Sequence, residues 1–113
     1  MHEYSVTENI IAIVQDEATR AGAARVGSIN IILGELSTFS GQSIEFYFGE
    51  LSRGTVAEGA LLNFIYLPAK AVCLECGSRF QPRHAFYACP DCGSPMFDIK
   101  QGQEMFVESI EVD

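Results

Sequence analysis

The chain has 113 residues, 48% of them hydrophobic and 19% charged, with a net charge of −8 at pH 7. That length and balance predict a folded domain of ordinary size with room for a small satellite, and argue against a disordered chain. The negative field opposes phosphate backbones and anionic membranes, which disfavours nucleic acid and membrane surfaces and favours cations and basic protein partners.

The chain opens "MHE", so a primary amine, an imidazole and a carboxylate stand on Met1, His2 and Glu3. The Met1 amine, the His2 amide nitrogen and the His2 imidazole can close adjacent chelate rings. A nitrogen-rich, square-planar set of that kind suits Ni(II) or Cu(II) better than zinc. Glu3 can add a fourth ligand through its carboxylate or its amide. The bulky side chain at position 2 is expected to keep the initiator methionine in place. On chemistry alone these residues are either a small chelator or an ordinary solvated end. The segment lacks a basic leader region and carries Glu3 and Glu8, so no signal peptide is expected. No run nears the ~20 apolar residues that span a bilayer. A cytoplasmic location follows as the expectation.

From Tyr4 to Ala21, Val6, Ile10, Ile13, Val14, Ala18 and Ala21 recur at helical spacing, with Ser5-x-x-Glu8 as a candidate capping box, a start nearer His2 as the alternative, and Gly22 as the stop. Arg25–Leu33 is rich in β-branched residues and predicts a strand closed by Gly34. In "SGQSIEFYFGELSR", residues 40–53, Ile44, Tyr47, Phe48 and Leu51 share one helical face, and Gly54 ends it. "ALLNFIYL", residues 60–67, predicts a second strand stopped by Pro68, and "MFVESIEV", residues 105–112, a third.

Between those last two strands lies a segment of different character. Residues 69–100 hold all four cysteines and carry a net charge of +1, against −9 for the remainder. The expected fold is α+β, a three-stranded sheet packed with two helices, with a small zinc-ribbon-like four-cysteine domain inserted before the last strand. The expected domains are residues 1–68 with 101–113, and residues 69–100.

"CLECGS" and "CPDCGS" place Cys73, Cys76, Cys89 and Cys92 as two C-x2-C pairs, each followed by glycine, with twelve residues between them. In a reducing compartment four cysteines point to metal rather than disulfides. The two-residue gap lets both thiolates of a pair turn toward one ion. Four soft thiolates in a tetrahedron suit zinc, and they leave no open coordination position, so the site reads as structural. Iron in a rubredoxin-like site and a dithiol redox centre are the alternatives. The segment has too few apolar residues for its own core, so the metal is expected to hold it folded. Arg79, Arg83 and Lys70 are expected to offset the thiolate charge. His84 reads as an exposed or hydrogen-bonded histidine, with metal exchange or pH sensing as its sharper alternative.

Opening "MHE", "GELS" at 34–37, "GELSRGTVAEGALL" at 49–62, the two CxxCG knuckles and the closing "VESIEV" resemble, in order and over the full length, the HypA/HybF family of nickel-incorporation proteins for [NiFe]-hydrogenase maturation. The resemblance implies a nickel metallochaperone rather than an enzyme. It implies nickel at His2, with the Met1 amine, backbone amides and Glu3 as helpers, and zinc at Cys73, Cys76, Cys89 and Cys92. It further implies the HypB GTPase and the hydrogenase large-subunit precursor as partners, with urease maturation served in some bacteria. Tyr4 stands where the family often has Leu or Met.

Three other readings are weaker. A zinc ribbon that binds nucleic acid needs a basic, aromatic-lined face. An iron electron carrier would be red. An enzyme needs a catalytic constellation, and the carboxylate pairs Glu45 with Glu50 and Asp16 with Glu17 read as solvated helix faces. The apolar segment "NFIYL" and its strand edges read equally as core or as a homodimer or strand-exchange contact.

Overall fold

The computed structural model describes residues 2–83 and 87–113, with the backbone alone described at His2. In chain order the elements are α1 (His2–Arg20), β1 (Val26–Gly34), α2 (Gly41–Leu51), β2 (Leu61–Leu67), β3 (Lys70–Cys73), β4 (Arg79–Phe80), β5 (Phe97–Gln101) and β6 (Met105–Val112). They form two three-stranded sheets, ordered β2-β1-β6 and β4-β3-β5. The chain divides into two compact units: residues 1–32, 39–65 and 105–113, and residues 33–38 and 66–104.

The first unit is the expected sheet with its two helices. Helix α1 runs to Arg20, and Gly22 follows. It starts at His2, the alternative start, so Ser5 lies inside it and the capping-box reading of Ser5 and Glu8 is corrected. One turn on, the Thr7 hydroxyl donates back to the Glu3 carbonyl at 2.6 Å, and Thr7 is fully buried. The buried stripe of α1 is Thr7, Ile10, Ile11, Val14 and Ala18. This is the i, i+3, i+4, i+7 series of a helix facing a core. Ile13 lies one step off that series and is 49% exposed, and Ala21 is exposed, where the periodicity had placed both inward. Helix α2 is capped by Ser40, whose side chain accepts from the Ser43 amide, and it buries Ile44 and Phe48.

Between the helices and the sheet, Ile29 and Ile31 of β1 join Ile10, Val14, Ile44 and Phe48 in one apolar core. Burying side chains of this size contributes roughly 1.5–3 kcal/mol each, enough to hold a sheet against two helices. The Asp113 amide donates to the Arg25 carbonyl and the Gly34 amide to the Glu104 carbonyl. These bonds join the start of β1 to the end of β6 and the end of β1 to the start of β6, so the two strands run antiparallel. Across the sheet, Asn63 of β2 donates to Asn30 of β1 at 3.1 Å, and Asn30 donates to Ser109 of β6 at 2.9 Å. A polar ladder of this kind fixes register, because slipping by one residue would break both bonds.

The second unit is built on the small sheet β4-β3-β5, with antiparallel pairing of Val72 to both Arg79 and Asp98. Its aromatic contacts are Phe80 on Phe97, edge to face at 5.3 Å, and Phe80 on Tyr87 at 6.0 Å. A short segment from β1's end closes on it. The Leu36 amide donates to the Gly102 carbonyl, the Glu35 amide to the Leu67 carbonyl, and the Glu35 carboxylate accepts from the Ala69 amide. The backbones approach closely there: a Cβ on Gly34 would stand 2.2 Å from the Gly102 carbonyl carbon. Gly102 itself has φ 121 and no room beside Ala69, so both positions require glycine.

Candidate metal centre

Two matching turns build the centre. Cys73 ends β3, and its amide donates to the Ser78 carbonyl while the Gly77 amide donates back to the Cys73 carbonyl at 3.1 Å. The second knuckle repeats this: the Cys89 amide donates to the Ser94 carbonyl, and the Gly93 amide to the Cys89 carbonyl at 2.8 Å. Gly77 and Gly93 sit at φ 76 and 77, the left-handed conformation that lets the chain fold back after each second cysteine. The Cys76 amide points at the Cys73 sulfur, 3.4 Å away. Ser78 of the first knuckle donates its hydroxyl to the Asp91 carboxylate of the second, which ties the two turns together.

The four sulfurs all lie within 4.8 Å of one another. Cys73 and Cys92 are 3.5 Å apart, and Cys76 and Cys89 3.7 Å. A disulfide needs about 2.05 Å, so none of these pairs is bonded. A tetrahedron with Zn–S bonds of about 2.3 Å has edges of about 3.8 Å, which these spacings match. Cys73 and Cys89 are buried, while Cys76 and Cys92 reach the surface. Among the described residues this is the one grouping of three or more histidine, cysteine or acidic side chains arranged to hold an ion.

The acid–base chemistry of the set fits a cation. The Ser78 hydroxyl and then the Ser78 amide hold the Cys76 thiol down at about 6, with help from the thiols of Cys89 and Cys92 and against desolvation. At Cys92 the Ser94 amide also favours the thiolate, but Cys73, desolvation, Cys76 and Cys89 together push this thiol up to about 12. One thiol ionises readily and another resists, because neighbouring thiolates repel. A dication at the centre of the four sulfurs removes that repulsion.

Of the other residues singled out in the sequence, Met1, His84 and the side chain of His2 lie outside the described residues. Glu3 stands half-buried in the first turn of α1. Tyr4 packs edge to face on Tyr47 of α2 at 5.6 Å. Asp16 and Glu17 both pair with Arg20, and Glu50 with Arg53, all of them exposed helix-surface contacts rather than a catalytic arrangement. The Glu35 carboxylate, which the sequence reading passed over, has a definite task on the Ala69 amide. Its flanking glycine at 34 was the available signal. No helix is long and apolar enough to cross a membrane among the described residues.

A helix–sheet unit and a separate four-thiol unit define a small α+β protein with a built metal centre. Residues 1–112 match the family described as hydrogenase/urease nickel incorporation, metallochaperone, HypA. The chain is 39% identical to the hydrogenase maturation factor HypA of Alkalilimnicola ehrlichii and 38% identical to that of Caldanaerobacter subterraneus subsp. tengcongensis, in each case over the whole of both chains. The solution structure of the Ni metallochaperone HypA from Helicobacter pylori superposes with a TM-score of 0.69 at 26% identity, covering 97% of this chain and 96% of that one. A second HypA solution structure gives 0.73 at 27% identity, covering 99% and 96%. The chain belongs to the HypA family, whose members are nickel-incorporation metallochaperones of hydrogenase maturation.

Proposed function

We propose that this chain carries Ni(II) at its N-terminus and passes it on during maturation of a [NiFe]-hydrogenase, with urease as a second class of client. The observation that carries this reading is the family match over residues 1–112, which begins at the "MHE" segment itself. His2 supplies its imidazole and amide nitrogen, Met1 its amine, and Glu3 its carboxylate or amide. The helix start supports this use of the backbone. The first four amides of a helix have no acceptor within it, so an amide at His2 can give up its proton to a metal without breaking a helical bond. The positive end of the helix dipole disfavours a cation, and Glu3 in the first turn offsets it.

Zinc held by Cys73, Cys76, Cys89 and Cys92 is the resident ion in this reading, and its contribution is cross-linking of the two knuckles. The chain then acts as a cytoplasmic carrier, not an enzyme, and its work is selective binding and release. The HypB GTPase and the hydrogenase large-subunit precursor are the proposed donor-side and client partners. A homodimer is a further state open to the carrier. A terminal site with few protein ligands suits release better than an enclosed cage. Copper binds such a site more strongly than nickel, so selectivity must come from metal supply and the partner complex.

Blocking the amine tests the ligand set. A short peptide fused ahead of Met1 is expected to weaken nickel binding, measured by calorimetry on zinc-loaded protein. Unchanged affinity would remove the amine from the ligand set.

A further inference from the structure

The small sheet of the four-cysteine unit carries charge that its fold does not use. A groove of about 510 Å³ opens on it, lined by Lys70, Val72, Arg79, Phe80 and Lys100. Lys70 pairs with Gln101 and Ala71 with Ile99, so the register passes over Lys100 in a bulge. Bulges re-aim side chains, and here the residue passed over is the groove's third cation. Lys100 donates to Asp98 at 2.7 Å, whereas Lys70 and Arg79 have no carboxylate partner among the described residues. Three of the chain's seven basic residues therefore meet at one groove, against the one carboxylate of Asp98, which pairs with Val72 on that face.

These cations lie on the face of the sheet away from the buried sulfur of Cys73. Val72 pairs with Arg79, and the next residue on the strand, Cys73, turns its sulfur to the opposite, buried face. Like charges held round a groove repel one another, and an anionic occupant relieves that strain. Val72 and the aliphatic stems of the three cations offer an apolar surface as well, which phosphate alone does not use; Phe80 pairs with Ala71 and packs on Phe97 on the other face. Among the described residues strand β4 pairs on one side only, which leaves a backbone edge for an extended chain.

We propose that this groove docks an extended acidic segment of a partner protein, its carboxylates on Lys70, Arg79 and Lys100 and an apolar side chain over Val72. The groove makes the four-cysteine unit a recognition element rather than only a brace. It stands or falls apart from the nickel reading, because none of its residues belongs to the proposed nickel ligands.

The test uses the zinc-loaded full chain and a short fluorescein-labelled peptide alternating glutamate and leucine, followed by anisotropy. Saturable binding is expected, weakening as salt rises. Lys70→Glu with Arg79→Glu should lower affinity at least about tenfold, while Arg20→Glu with Arg53→Glu should leave it within about twofold. Should the reversed pair lose zinc, Lys70→Gln with Arg79→Gln decides, with an expected loss of about threefold or more. Absent binding overturns the proposal, as does equal loss from the Arg20 and Arg53 pair or equal binding of a glutamine-for-glutamate peptide. Tighter binding of duplex DNA, or a dimer that the reversal dissolves, assigns the groove to another occupant and also overturns it.

Discussion

The two units draw their stability from different sources. In the helix–sheet unit, Ile10, Val14, Val26, Ile29, Ile31 and Ile44 are almost wholly buried. Among the described residues of the four-cysteine unit the buried apolar ones are Leu33, Ala69, Ala71, Cys73, Pro82 and Cys89, while Phe80, Phe97 and Ile99 are only half-buried. One unit has a core that covers its cost of ordering, and the other does not.

Metal removal should separate the units most sharply. A structural zinc contributes about 10–16 kcal/mol in small peptides, much more than the few aromatic contacts of this unit. Amide exchange on chelator-stripped protein should show protection lost across residues 73–83 and 87–101 and retained in α1, α2 and β1. Persistent protection around the knuckles would erase the contrast. The converse is Ile29→Ala, which should cost about 2–5 kcal/mol by denaturant unfolding of the helix–sheet unit and leave zinc content unchanged.

Smaller effects sharpen the same contrast. Gly102→Ala adds a Cβ 2.8 Å from the Ala69 Cα at a φ of 121 and should cost about 1–3 kcal/mol, read as earlier loss of the four-cysteine unit. Ser40→Ala removes the acceptor for the Ser43 amide and should cost about 1 kcal/mol in the helix–sheet unit. Arg20→Ala breaks pairs whose side chains are 71% and 61% exposed and should change stability by less than about 1 kcal/mol. A larger loss from Arg20 than from Ser40 would mean that surface charge, not burial and capping, holds this unit.

The parts legible in the sequence are those with local signals. Apolar periodicity marked both helices and the three long strands to within a residue or two. The C-x2-C-G repeats marked the knuckles, because ligand spacing and the glycine turn lie within six consecutive residues. Ile13 went wrong because its neighbours at 10 and 14 already define a stripe that turns it outward. The sheet β4-β3-β5 went unread because strands of two to five residues are too short to show a period. Gly34 read as a strand stop, and its second role against Gly102 exists only where residues 68 apart in sequence meet. The Asn63–Asn30–Ser109 ladder is invisible for the same reason, since each member alone resembles an ordinary surface polar residue.

Nickel titration of zinc-loaded wild type against His2→Ala, by calorimetry with absorption followed in parallel, tests the central claim most directly. The account predicts that the variant keeps its zinc and its fold, loses high-affinity nickel binding and fails to support hydrogenase maturation. A variant that binds nickel as wild type does and still matures its client would contradict it.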